Sequence, residues 1–376
     1  MRFSWTTVLG LTALAPTNVD AIAIPPPTGR YGVGVRKVVV EHYNDHDPVA
    51  PNNISTSFLA TIFYPTAHNS GADTGPYLDP ETAEPWERIY NFTAGSLSSL
   101  TSTLQRDAPF LHGHTGKSKY PTLLFGPGGA GPSTECNAIL LSDLASHGYT
   151  VIGLDHPYEE VWIRYPNGTG IPGLPLEYPW TLEEYLAVYD QRLEDTRVFL
   201  EKFPAIVKHL KAPINTTHVG TFGHSLGGAA AIESLFDGDI VKSGIDLDGT
   251  LFGRPAVDGP EADTGKPSLL LGFEGHFDES YRTYPDYQTA YWRGVRINGT
   301  THNDFTDVTF WKTVGNPGSP PASPTVGLRM VHILRTLVPA FFDYTLRGGK
   351  QPPVLDGPTE GFPELWYFDG EGPINS

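Results

Sequence analysis

From Val33 onward, short apolar runs alternate with longer stretches in which apolar residues recur every three or four positions. The first signature belongs to strands and the second to amphipathic helices. Val33–Glu41 and Ser57–Tyr64 predict a pair of opening antiparallel strands. A Pro-, Gly- and Asp-rich loop over 65–85 and a polar, weakly helical stretch to Phe110 follow. Tyr120–Phe125 predicts a strand, GPGGAG (126–131) a Gly-rich turn, and the residues to Ser146 a helix. Tyr149–Leu154 is the next strand, and a Pro-rich excursion then runs to Trp180. Leu182–Leu210 predicts a long helix with Arg and Glu on its polar face. His218–Phe222, Ser243–Leu247, Ser268–Phe273 and roughly Gly294–Asn298 predict further strands, with a helix over Leu226–Phe236 after the first of them. A Pro/Ser loop (315–324) leads into a last helix ending near Arg347–Gly348–Gly349. Strands alternating with helices in this way predict an α/β fold, with a mostly parallel central sheet covered on both faces. No repeat or linker divides the chain, so residues 24–376 are expected to form a single domain with loop insertions.

Composition narrows the functions available. The chain has 376 residues, 42 of them acidic and 25 basic, for a net charge of −17. Such a field repels phosphate backbones, which argues against a nucleic-acid partner. A single cysteine, Cys136, excludes an internal disulfide framework and any cysteine-built zinc site. A buried unpaired thiol is the expectation there.

The N-terminus reads as an address. Arg2 precedes the apolar run Val8–Ala15, and small residues at Val19/Ala21 or Ala21/Ala23 offer cleavage sites. This is the layout of a secretory signal peptide, assigned to residues 1–23, and the run is too short to span a bilayer. Five Asn-X-Ser/Thr sequons follow, at Asn53, Asn91, Asn167, Asn215 and Asn298, and are expected to carry glycans on a secreted, extracellular protein.

The sharpest chemical signal is Gly223-His224-Ser225-Leu226-Gly227, a G-x-S-x-G between a predicted strand and a predicted helix. A serine on so tight a turn needs small neighbours two residues to either side, and Gly223, Gly227 and Gly228 supply them. The turn also aims the first helical N–H groups above Ser225, where an oxyanion would form. A hydroxyl is a poor nucleophile, so a base and an orienting acid are required, later in the chain and in the order acid, then histidine. Asp246 and Asp248 share a face of the Ser243–Leu247 strand and its end. Asp248, nearer the carboxyl end where open α/β sheets build their sites, is taken as the acid. Asp246 is assigned a structural hydrogen-bonding role, and Asp278 and Glu274 remain rivals. His302, on a loop after a strand, is taken as the base, with His276 as second candidate. His224 is expected to point away across the elbow. His112/His114 and His42/His46 are spaced like metal ligands but sit in polar loops without further suitable partners, so they read as surface histidines. No metal and no cofactor is expected.

The set GHSLGG at Ser225, LDG at Asp248 and HxDF at His302, with DLASHGY (143–149) and AFFDYTL (340–346), resembles the plasma-type platelet-activating-factor acetylhydrolases, a branch of the α/β-hydrolase fold. The resemblance runs over roughly residues 30–350. It implies a calcium-independent esterase that removes short acyl groups, typically acetyl, from the sn-2 position of phospholipids. It implies Ser225 as nucleophile, Asp248 as the acid and His302 as the base, and it favours Asp248 over Asp278. It further implies an oxyanion hole built from the Leu226 N–H and one N–H of the 126–131 loop, at Gly129 or Ala130. Members often carry His-Gly in that loop, where this chain has Pro127-Gly128.

The expected partner is a small-molecule or lipid ester, with at most transient contact with lipid surfaces and no stable membrane anchor. Aromatic insertions (Trp162, Tyr165, Tyr178, Trp180; Tyr281, Tyr284, Tyr287, Tyr291, Trp292) offer walls for an acyl pocket or pack the core. The 158–180 excursion reads as a lid or a glycosylated loop. A general carboxylesterase or cutinase-like polyester hydrolase is the alternative activity, and a non-catalytic binding scaffold the alternative class.

Overall fold

A computed structural model describes residues 22–67, 75–111, 120–276 and 278–368. The expected signal peptide core and the His112/His114 pair lie outside these residues. Ten strands form one sheet: β1 (Gly32–Asn44), β2 (Ser55–Thr66), β3 (Gln105–Arg106), β4 (Tyr120–Gly126), β5 (Thr150–Asp155), β6 (Ile214–His224), β7 (Val241–Leu247), β8 (Ser268–Phe273), β9 (Trp292–Ile297) and β10 (Leu365–Phe368). Their spatial order is β10-β9-β8-β7-β6-β4-β5-β2-β1-β3. Six central strands, β5-β4-β6-β7-β8-β9, run parallel, and β2 and β10 flank them antiparallel. The expected mostly parallel sheet is therefore present. Edge strands β3 and β10 are additions to the sequence reading, each too short to carry a periodic signal.

Alternation along the strands divides the core between two faces. Leu123, Phe125, Val151, Phe222, Ile245 and Leu271 point to one side, where α2 (Ala138–Ser146) and α7 (Leu328–Arg347) cover them with Ile139, Leu144, Leu337 and Phe341. Leu124, Ile152, Leu154 and Val219 point to the other side, against Val198, Phe199 and Phe203 of α3 (Leu182–Leu210). A Thr181–Glu184 capping box starts α3, and Lys211 in a left-handed conformation ends it. Tyr281 and Tyr284, two of the aromatics considered as pocket walls, are core residues packed with Leu270 and Phe368. No helix among the described residues is long and apolar enough to cross a membrane.

Candidate active site

Strand β6 ends at His224, and α4 (Leu226–Glu233) begins two residues later, leaving Ser225 alone on the turn. Its backbone sits at φ 55°, ψ −124°, a conformation L-residues adopt only when the surroundings impose it. Close backbone packing does so here. A Cβ on Gly227 would lie 2.1 Å from the Gly126 oxygen, and one on Gly223 would lie 2.4 Å from the Gly227 oxygen. The Ser225 N–H donates to Leu247 O at 2.9 Å, tying the elbow to β7. Leu226 is the first helical residue, so its N–H has no place in the helix's own ladder.

Asp248 lies at the carboxyl end of β7, itself at φ 65°. Its Oδ2 is 2.5 Å from Nδ1 of His302, at the start of a short 3-10 turn (His302–Phe305) capped by Thr301 and Asp304. Burial works against the Asp248 charge, but hydrogen bonds from His276 and His302 outweigh it and hold the carboxyl below its usual range. The His302 side chain is 44% exposed, which leaves the ring open to solvent and to a substrate. The next residue, Gly249, presses on the elbow: a Cβ there would sit 2.2 Å from Ser225 O. Ser225, Asp248 and His302 are thus brought to one end of the sheet, on adjoining carboxyl-end loops.

With this geometry in view, residues 190–315 match the family described as platelet-activating factor acetylhydrolase, isoform II. The chain is similar to the platelet-activating-factor acetylhydrolases. A protein of Arthroderma benhamiae named a probable 1-alkyl-2-acetylglycerophosphocholine esterase is 28% identical over 95% of this chain and 96% of its own length. A platelet-activating factor acetylhydrolase of Canis lupus familiaris is 22% identical over 79% of this chain and 71% of its own length. Among solved structures, a ferulic acid esterase from Streptomyces cinnamoneus superposes with a TM-score of 0.76 at 25% identity, covering 93% of this chain and 99% of that one. The fold is the α/β-hydrolase fold, and the resemblance read from the GHSLGG, LDG and HxDF stretches stands.

The matched segment holds Ser225, Asp248 and His302, and the remaining candidates group around them. His224 does not point away across the elbow, as the sequence reading expected. Its Nε2 donates to the His302 main-chain oxygen at 2.9 Å, and the two rings lie 4.6 Å apart. Burial, and secondarily His302, push His224 down to about 3, so it is neutral. Asp246 is buried beneath the elbow, accepting from Gly249 N–H and Tyr281 O–H at 2.9 Å each, and burial pushes its carboxyl well up. The rivals meet other groups: Glu274 accepts from Gly299 N–H at 3.1 Å, and Asp278 caps the helix Glu279–Thr283 and lies 2.6 Å from His276 Nε2. His276 Nδ1 in turn lies 2.9 Å from Asp248 Oδ1, on the side of the carboxylate away from His302. Burial opposes a charge on His276, but the flanking carboxylates of Asp248 and Asp278 lift it to about 10. His276 is therefore a cation between two aspartates, a role that spacing alone did not disclose.

The 126–131 loop runs past the elbow. Gly128 lies against it, such that a Cβ would meet His224 Nδ1 at 2.7 Å and Ser225 Cβ at 3.3 Å. Gly129 borders Leu226, and Ala130 is fully buried at φ 49°. An aromatic wall stands on the other side. Tyr185, whose hydroxyl interacts with Ser225, packs edge-on between Trp180 and Phe252, with Tyr178 beyond. By contrast Trp162 folds back over Gly170. Of the sequons, Asn53, Asn91 and Asn167 are exposed, whereas Asn215 and Asn298 are half-buried. Cys136 is free and buried. Among the described residues no group of His, Cys, Asp and Glu is arranged to hold a metal ion.

Proposed function

We propose that this chain is a secreted serine esterase acting on short-chain, chiefly acetyl, esters, with platelet-activating-factor-like phospholipids cleaved at the sn-2 acetyl group. That it is a carboxylic ester hydrolase agrees with the names of the relatives it matches. The observation that carries the serine-esterase reading is the 2.5 Å contact of His302 Nδ1 with Asp248 beside a strained elbow serine, and the acetyl and phospholipid preference draws on the names of the relatives. In this reading residues 24–376 are one catalytic domain, preceded by a leader at 1–23, with glycans at the sequons.

The chemistry follows from the donors and acceptors available. Asp248 fixes the His302 tautomer with hydrogen on Nδ1, leaving Nε2 to take the Ser225 proton. The Ser225 oxygen bonds to the ester carbonyl carbon, and the carbonyl oxygen becomes an oxyanion received by the N–H groups of Leu226 and of Gly129 or Ala130. Collapse expels the alkoxide, which takes the proton from His302. Water then repeats the sequence on the acyl-enzyme and returns free Ser225 and the carboxylic acid.

A second reading, a general carboxylesterase or cutinase-like hydrolase, draws on the ferulic acid esterase likeness and on the Trp180–Tyr185–Phe252 wall, which suits a larger acyl or aryl group. The test is a p-nitrophenyl ester series from acetyl to palmitoyl beside an sn-2-acetyl phospholipid, with calcium chelated, on the wild type and Ser225→Ala. Rapid acetyl release from both substrate types, abolished in the variant, is the expected result. Preference for long or aromatic acyl groups selects the second reading. Absence of any cleavage, with no labelling of Ser225 by a fluorophosphonate, leaves a binding scaffold.

A further inference from the structure

Arg192 is a cation that the catalytic scheme does not use, yet it lies against the scheme's most exacting part. It projects from α3 and is 1% exposed. Its Nε reaches both Glu159 oxygens at 2.9 and 3.0 Å, and its Nη2 reaches Glu159 Oε1 at 2.5 Å. That pairing satisfies the charge. The remaining donors go to the main chain: Nη1 to Pro127 O at 2.5 Å and Nη2 to Gly128 O at 3.3 Å.

Those two carbonyls belong to the peptide units whose N–H groups are on Gly128 and Gly129. No described peptide bond is cis, so each N–H points opposite its carbonyl, away from the guanidinium. The loop meanwhile lies against the elbow at Gly128 and against Leu226 at Gly129. The cation is also near enough to lower the basicity of His224 and to act on Tyr185, which flank Ser225. A salt bridge serving only stability has no need of loop carbonyls, and buried ion pairs contribute little stability in any case.

Resting on the serine esterase reading above, we infer that Arg192 is a positioning residue of the oxyanion hole: it grips the Pro127 and Gly128 carbonyls and so turns the loop N–H groups toward the oxyanion, adding its positive field to theirs. The donor set this favours within the loop is at Gly129 rather than Ala130.

The experiment compares wild type, Arg192→Met and Arg192→Lys with two inhibitors. An aryl trifluoromethyl ketone accepts the Ser225 oxygen and becomes an oxyanion, its proton passing to His302. The matching methyl ketone stays a neutral ketone. In Arg192→Met, kcat and trifluoromethyl ketone affinity are expected to fall together by about 100-fold, the usual consequence of losing one oxyanion donor. KM and methyl ketone affinity stay within about twofold, and Arg192→Lys falls between. Circular dichroism establishes folding, and if the methionine variant does not fold, the lysine variant carries the same comparison. Equal weakening of both inhibitors, or an unchanged trifluoromethyl ketone affinity in a folded variant, overturns the inference. A wild-type chain whose Ser225 ignores a fluorophosphonate refutes the esterase reading instead.

Discussion

His224 Nε2 donates to the main-chain oxygen of His302 across 2.9 Å, so the residue preceding the elbow serine holds the loop that carries the proposed base. Its burial keeps it neutral, which is the state able to donate at Nε2 without bringing a second positive charge beside His302. Replacement by phenylalanine keeps the ring and deletes the donor. One hydrogen bond of this kind is worth roughly 0.5–1.5 kcal/mol, so His224→Phe is expected to lower kcat by roughly two- to tenfold. Fluorophosphonate labelling of Ser225 should slow by the same factor. Unchanged labelling would show that the loop needs no tether.

His276 supplies a prediction with a sign. Its cation shares the Asp248 carboxylate with His302, dividing the negative charge between them. In His276→Gln that cation is lost, and with it a pH-dependent part of the stability. The folded-state value of about 10 exceeds the unfolded value of about 6.5. The stabilisation is therefore complete below pH 6.5 and disappears as pH rises through 10. The Tm gap between wild type and variant should narrow over that window, and a constant gap would count against a charged His276.

Gly128 leaves no room for a side chain. A methyl group there meets His224 Nδ1 at 2.7 Å, against a ring fixed at its other nitrogen. Gly128→Ala is expected to cost at least tenfold in kcat by displacing the loop from the elbow, since misplacement by a fraction of an ångström is felt at the reacting atoms. Steady-state kinetics on a folded variant decide it, and wild-type turnover would contradict the close approach.

Asp307, five residues beyond His302, accepts from Tyr77 O–H at 2.6 Å and Ile139 N–H at 3.2 Å. Burial pushes its carboxyl up to about 7. Raised above the unfolded value of about 3.9, it makes folding take up a proton, so stability declines as pH rises from 4 to 7. Asp307→Asn keeps an acceptor and removes the titration. Thermal melts of the variant should lose part of the wild type's decline over that range, and identical slopes would assign the decline to other groups.

The elements nearest Ser225 were the most legible in the sequence. A strand, three closely spaced glycines and an apolar helix leave few alternatives to an elbow, because only glycine fits where backbones approach this closely. The place of Asp248 at the end of β7 followed from strand alternation, and that of His302 from the strand before it. What stayed hidden depends on long-range placement. Arg192 meets Pro127 and Gly128 from 65 and 64 residues away, and periodicity marks it only as one more residue of a helix. His276 and Asp278 looked like rivals for the catalytic roles because sequence shows residue types but not which oxygen of Asp248 a ring approaches. His224 was misread because a loop 78 residues on comes back to meet it. Strand β10 is four residues whose only strand partner among the described residues is β9, a pairing that local pattern cannot announce.

Ser225 and Asp248 both hold positive φ, at 55° and 65°, where side chains other than glycine are strained. Glycine at either position relaxes that strain while removing the hydroxyl or carboxylate on which the proposed chemistry depends. A lineage, or a laboratory screen, that rewards thermal robustness alone thus has a downhill path at these two positions toward a sturdier and inert protein. Continued exposure to a substrate worth cleaving is what would keep serine and aspartate in place.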